Sequence, residues 1–161
     1  MKKLIYAGAA LTLAIVSSVP AAWAAGRTNE FYGVGPHIFN SAANPNYARF
    51  QGATHYFKVH VEGRSLSELS IDLPEGVSVT KGIEVTNESG QKVEAQASVN
   101  DGKATIAFSQ PVQSDTTLSI NLRGVNTLGY SRHWIYQVYG RMVGLNATIP
   151  LGPARISTYG K

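Results

Sequence analysis

From Thr54 the chain alternates with a period of two: His55, Phe57, Val59 and Val61 share one parity, and Thr54, Tyr56, Lys58 and His60 the other. That is the pattern of a strand with one buried face. The same period returns at Leu69, Ile71 and Leu73, and resumes at Val77 and Val79 after Pro74-Glu75-Gly76. In that turn Pro presets one φ and Gly accepts the conformation closed to side chains. Further strands are predicted over 83–86, 93–99, 104–108 and 118–122, joined through Glu88-Ser89-Gly90 and Asn100-Asp101-Gly102, which are hairpin signals. Trp134, Tyr136, Val138 and Met142 then share a parity, followed by 145–149 and, after Pro153, 154–159. No window keeps a helical period. About seven to nine short strands with regular turn signals predict an all-β fold, an antiparallel β-sandwich of immunoglobulin-like architecture, with a closed barrel as the alternative.

The N-terminal part follows other rules. Lys2 and Lys3 precede an apolar run from Leu4 to Val16, then Pro20 and Ala22-Trp23-Ala24. Basic residues, a short apolar helix and small side chains before the junction make residues 1–24 a secretory signal peptide cleaved between Ala24 and Ala25. The run is too short and too interrupted for a span of about 20 apolar residues, and no later stretch could cross a bilayer. Residues 25–50 are rich in Gly, Asn and Pro, yet carry Phe31, Tyr32, Ile38, Phe39, Tyr47 and Phe50. So many large apolar groups predict an irregular arm packed on the domain and covering a sheet edge. The sandwich is expected over 51–161.

Removing the leader leaves 137 of 161 residues, enough for one core. There is no Cys, so an exported chain of this kind depends on packing and hydrogen bonds, and thiol chemistry is excluded. The net charge of +4 includes Lys2 and Lys3, so the processed chain carries about +2. The distribution is uneven: from Thr116 onward there are Arg123, Arg132, Arg141, Arg155 and Lys161 and no acid. The last third is a basic sector. Nucleic acid is not the expected partner, since an exported chain without Lys/Arg runs lacks the usual signature.

Catalytic patterns are missing. No Gly-x-Ser-x-Gly elbow occurs, and His37, His55, His60 and His133 are too few and too scattered for a zinc set. His55 and His60 differ in parity, which sends them to opposite faces. Glu68 and Asp72 share a parity but lie about 13 Å apart along a strand, too far for a glycosidase pair; a cross-strand pair of Glu62 with Asp72 is the alternative. Asn87-Glu88-Ser89 and Asn146-Ala147-Thr148 fit the glycosylation tripeptide but read as turn and strand residues. Neither an enzyme nor a cofactor or metal site is predicted.

One constellation carries chemistry. With Trp134, Tyr136 and Val138 inward, His133, Gln137, Tyr139 and Arg141 project outward in a row about 27 Å long. Tyr offers an apolar face, Gln donates and accepts, and Arg forks onto carboxylate or sulfate. The row suits an extended acidic polymer; equally, Tyr139 can serve cross-strand pairing and Arg141 solubility.

The succession Phe50-Gln51-Gly52-Ala53-Thr54-His55-Tyr56-Phe57, Leu73-Pro74-Glu75-Gly76-Val77, Phe108-Ser109-Gln110-Pro111-Val112, Thr116-Thr117-Leu118 and Leu122-Arg123-Gly124-Val125 resembles domain of unknown function 2808, found chiefly in cyanobacteria. The likeness extends from about Pro36 to Tyr159 and includes the late Tyr-x-Val-Tyr-Gly strand. It implies a signal-bearing β-rich domain in periplasm, thylakoid lumen or medium, with no assigned reaction. Where family members often carry a longer Gly/Pro-rich tract, this chain has the compact 144–153, so the pairing of the last strands is left open. The expected role is binding or organising envelope material, an acidic polysaccharide, through a sheet face. The alternative is an assembly subunit that pairs with an envelope protein by adding its N-terminal arm or last strand to a neighbour.

Overall fold

A computed structural model describes residues 35–160. The expected leader, its Ala24/Ala25 junction and the rings of Phe31 and Tyr32 lie outside the described residues. The strands are β1 (His37–Asn44), β2 (Ala53–Val61), β3 (Leu66–Asp72), β4 (Ser78–Val79), β5 (Ile83–Asn87), β6 (Ala95–Asn100), β7 (Lys103–Val112), β8 (Thr116–Asn126), β9 (Arg132–Met142) and β10 (Thr148–Thr158). They form two antiparallel sheets: β1-β2-β8 with β4 and β5 both on the far side of β8, and β10-β9-β3-β7-β6. The fold is an immunoglobulin-like β-sandwich.

The period of two decides what is inside. In β2 burial alternates strictly, placing His55, Phe57, Val59 and Val61 in the core and Tyr56, Lys58 and His60 on the outer face. From the facing sheet come Leu69, Ile71, Ile106, Trp134, Tyr136 and Ile156, all fully buried. Each such side chain contributes about 1.5–3 kcal/mol relative to leaving it wet.

Two segments differ from the pattern reading. The irregular arm expected over 25–50 contains a regular strand, since β1 pairs with β2 from His37↔His60 to Asn44↔Thr54. Its register shifts between Phe39 and Ala42, where Asn40 has φ 50°. That bulge scrambles the alternation, so the sequence carries no period of two there. Among the described residues of that arm, 35–36 and 45–50 lie outside β1. The two segments expected on either side of Pro153 are one strand, β10, which passes through Pro150 and Pro153. It is the edge strand of its sheet, and its register shifts between Pro150 and Gly152. An edge strand tolerates prolines because the missing N–H groups need no ladder partner.

The arm joins the two sheets along one side. Ser41 Oγ donates to Arg155 O at 2.7 Å, Ala48 N to Tyr159 O at 2.8 Å and Tyr159 N to Asn46 O at 2.9 Å. The free edges of β1 and β10 therefore face one another.

Candidate functional site

β9 sends Trp134, Tyr136, Val138, Gly140 and Met142 inward and His133, Ile135, Gln137, Tyr139 and Arg141 outward. The outward parity of His133, Gln137, Tyr139 and Arg141 is that read from the sequence; Ile135 belongs to the same row and breaks its polarity. β9 lies inside its sheet, so the row has neighbours on both sides. Arg141 faces Glu68 of β3 and Thr148 of β10, Tyr139 faces Ser70 and Pro150, and Gln137 faces Asp72 and Pro153. One strand further, Lys103 of β7 faces Asp72, and Thr105 faces Ser70.

These strands enclose an open depression of about 400 Å³ whose floor includes Ser70, Thr105 and Tyr139. Its charges are paired across strands: Arg141 Nη2 lies 3.8 Å from Glu68 Oε1, and Lys103 Nζ 3.3 Å from Asp72 Oδ1. Two acids and two bases leave the depression with no net charge. At the far end of the row His133 Nδ1 bonds Ser157 Oγ at 2.7 Å, outside the depression. The structure thus brings Tyr139 and Arg141 together with residues of β3 and β7, and leaves His133 apart. The sequence contained Glu68, Ser70 and Asp72 as one outward parity, but nothing in it says which strand lies beside β9.

The alternative carboxylate pair does not form. Glu62 follows β2 in one sheet and Asp72 ends β3 in the other, because the 62–65 turn crosses between sheets instead of making a hairpin. Glu62 lies instead 3.8 Å from His37.

Behind the row is a buried polar pair that sequence reading placed only as core. His55 Nδ1 and the Tyr136 hydroxyl are 2.6 Å apart between the sheets, while His55 Nε2 is buried without a hydrogen-bond partner. Burial pushes the His55 imidazole down to about 4 and the Tyr136 phenol well upward. Both are neutral in the fold at neutral pH. Trp134 Nε1 donates to Thr158 Oγ1 at 3.0 Å, which ties β9 to β10 beneath the exposed face.

The family model described as "Protein of unknown function (DUF2808)" matches residues 30–129. The chain belongs to that family. The match covers more than half of the chain and ends before β9, so the row of outward residues lies beyond the matched part of this DUF2808 protein. No curated protein matches its sequence. Among solved structures, the DUF2808 chain is similar to BcpA, the major pilin subunit of Bacillus cereus, with a TM-score of 0.54 at 8% identity over 76% of this chain. It spans 40% of that pilin's length. It is also similar to BslA, a bacterial hydrophobin, with a TM-score of 0.54 at 13% identity over 79% of this chain and 95% of the other. At such identities the likeness concerns the fold.

Proposed function

We propose that this DUF2808 protein is an exported, non-enzymatic β-sandwich that holds an extended envelope polymer, an acidic polysaccharide, on the outer face of the β10-β9-β3-β7-β6 sheet. The observation that carries this reading is the depression over Ser70, Thr105 and Tyr139. A ring and two hydroxyls on three adjacent strands form a rigid, shallow platform of the shape a sugar chain requires, with Gln137 and Arg141 beside them. Arg141 is held by Glu68 at only 3.8 Å and half its side chain is exposed, so a carboxylate or sulfate on the ligand competes with Glu68 for it. The leader-like N-terminus supports delivery to periplasm, thylakoid lumen or medium.

The test is retention of the purified protein on an immobilised acidic polysaccharide. Tyr139→Ala with Arg141→Ala abolishes retention, and Lys58→Gln on the outer face of the other sheet leaves it unchanged. Equal retention of the double variant removes this site.

A second reading is favoured by a separate observation. β6 ends its sheet, and beside it a cleft of about 240 Å³ opens between β5 and β6, lined by Ile83, Val85, Val93, Ala95 and Ile106. The edges of β1 and β10 are turned towards each other, whereas the outer edge of β6 is open to strand addition in an assembly. The pilin fold likeness is compatible with such a role. Cross-linking in intact cells separates the readings: one dominant protein partner attached through β6 favours assembly.

A further inference from the structure

The ends of the sandwich differ in character. At one of them the arm 45–52, the β8–β9 connection and the C-terminal residues after β10 meet. Ala48 N bonds Tyr159 O, Thr127 Oγ1 bonds Ala48 O at 3.2 Å, and Gln51 Nε2 bonds Thr127 O at 3.2 Å. These bonds gather five of the large hydrophobic side chains that the fold leaves exposed: Tyr47 (46%), Phe50 (46%), Leu128 (57%), Tyr130 (46%) and Tyr159 (56%). The core beneath does not depend on them, since Trp134, Tyr136 and Ala48 are already buried there. So many exposed apolar groups on adjoining loops mark an interaction surface.

This end carries two cations. Arg49 and Arg132 are exposed and form no ion pair with the described residues, nor do Lys58, Arg64, Lys81, Lys92 and Arg155, whereas Arg123, Arg141 and Lys103 are each paired to a carboxylate. Arg132 is held instead by aromatic groups: its Nη1 donates to the Tyr130 hydroxyl at 3.0 Å, and its guanidinium lies 5.3 Å from the Trp134 ring centroid. That arrangement keeps the cation beside the exposed rings with its outer donors available. Asp72 of β3 faces Gln137, so β9 and β10 continue about 17 Å past it, which separates this end from Glu68 and Asp72 of β3. Glu75, next to the Gly76 on which Leu128 rests, is the acid on the nearest connection. The opposite end, where Asp115 N bonds Val61 O and Arg64 N bonds Glu62 O, carries Glu62, Arg64 and Asp115.

We propose that the loop end formed by residues 45–52, 127–132 and 158–160 docks on a lipid layer bearing anionic headgroups. Phe and Leu enter the acyl boundary, the three Tyr rings sit at headgroup depth with their hydroxyls towards water, and Arg49 and Arg132 meet the phosphates. The rings stand on loop tips from three separate segments, which suits a deformable layer better than the fitted pockets of a protein partner. Apolar insertion and charge act together here, as lasting attachment at a membrane surface requires. This surface is distinct from the platform over Tyr139 and does not depend on it.

The experiment uses the intact protein isolated from its host, with its N-terminus read by mass spectrometry so that an uncleaved leader is not mistaken for the docking surface. It is mixed with vesicles of phosphatidylcholine alone or of phosphatidylcholine with phosphatidylglycerol, and sedimented. Binding is expected to the mixed vesicles, weakened about tenfold or more on phosphatidylcholine alone or in high salt. Phe50→Ser with Tyr159→Ser, and separately Arg49→Gln with Arg132→Gln, each lower it about tenfold or more, while Tyr139→Ala with Arg141→Ala leaves it unchanged. Quenching of the intrinsic Tyr and Trp fluorescence by brominated lipid tests the unaltered protein, so a variant that fails to fold does not decide the matter. Three results overturn the proposal: no binding to mixed vesicles, full binding by both altered proteins, or self-association that the same changes abolish in a protein that ignores vesicles.

Discussion

The imidazole of His55 and the hydroxyl of Tyr136 meet at 2.6 Å in the interface between the two sheets, each supplied by the inner face of a different sheet. This is a polar contact in a mostly apolar layer, and one imidazole nitrogen is left without a partner. It makes the sandwich sensitive to protonation at a single buried point.

The pH dependence follows from the sign of the shift. His55 titrates near 4 in the fold and near its ordinary value of 6.5 when unfolded, so the unfolded chain binds the proton more readily. The contribution of neutral His55 is complete above about pH 6.5 and is lost progressively as pH falls from there to about 4. The loss is about 3 kcal/mol as an order of magnitude. Urea denaturation at a series of pH values measures it. The decline across this window should be markedly shallower in His55→Leu, and an equal decline in both proteins would assign it to the carboxylates instead.

Removing the hydroxyl alone leaves the imidazole with neither nitrogen paired. Tyr136→Phe is expected to cost about 1–3 kcal/mol. In the His55→Leu background the same change should cost much less, since no buried nitrogen is then abandoned. A double-mutant cycle by thermal or urea unfolding reads the difference, and strict additivity would mean that the contact carries no coupling.

Gly124 has a different constraint. It sits in β8 with φ 68°, and a Cβ there would come 2.5 Å from Thr80 Oγ1 and 2.9 Å from Lys81 N. Gly90 has φ 76° with open space around it. Gly90→Ala should therefore cost only the conformational strain, about 1 kcal/mol, while Gly124→Ala should cost clearly more because the backbone of Lys81 must move. Comparing the two melting temperatures is sufficient, and equal shifts would contradict the close approach.

On the outer face the expectation is the reverse. The Arg141–Glu68 pair is long and half its guanidinium side chain is exposed. Arg141→Gln should change stability by less than about 1 kcal/mol. Denaturation of this variant establishes that any loss of polymer retention reflects the face itself and not a damaged fold.

How far each element could be read in advance depended on whether one face of it is buried. β2 and β9 are legible because their alternate residues enter the core, so a period of two is imposed on them. β1 is not, because a bulge at Phe39–Ala42 and its place at a sheet edge relax that demand. β10 contains two prolines that look like interruptions until its edge position is known. The candidate face was half legible: the outward parity of Tyr139 and Arg141 follows from Trp134 and Tyr136 being inward, but the partners Glu68, Ser70 and Thr105 depend on β3 lying between β7 and β9.

Sequence by itself determined the strand class, most of the strands, the inward parity of the core residues and a basic final third, because hydrophobic burial acts on each strand locally. Only the tertiary structure decided that the positive charge of Arg141 is answered by Glu68, that His55 finds Tyr136, and that Tyr47, Phe50, Leu128, Tyr130 and Tyr159 gather at one end. Those relationships join residues separated by tens of positions, and they are set by which strand pairs with which and where the chain crosses between sheets, neither of which a local pattern encodes.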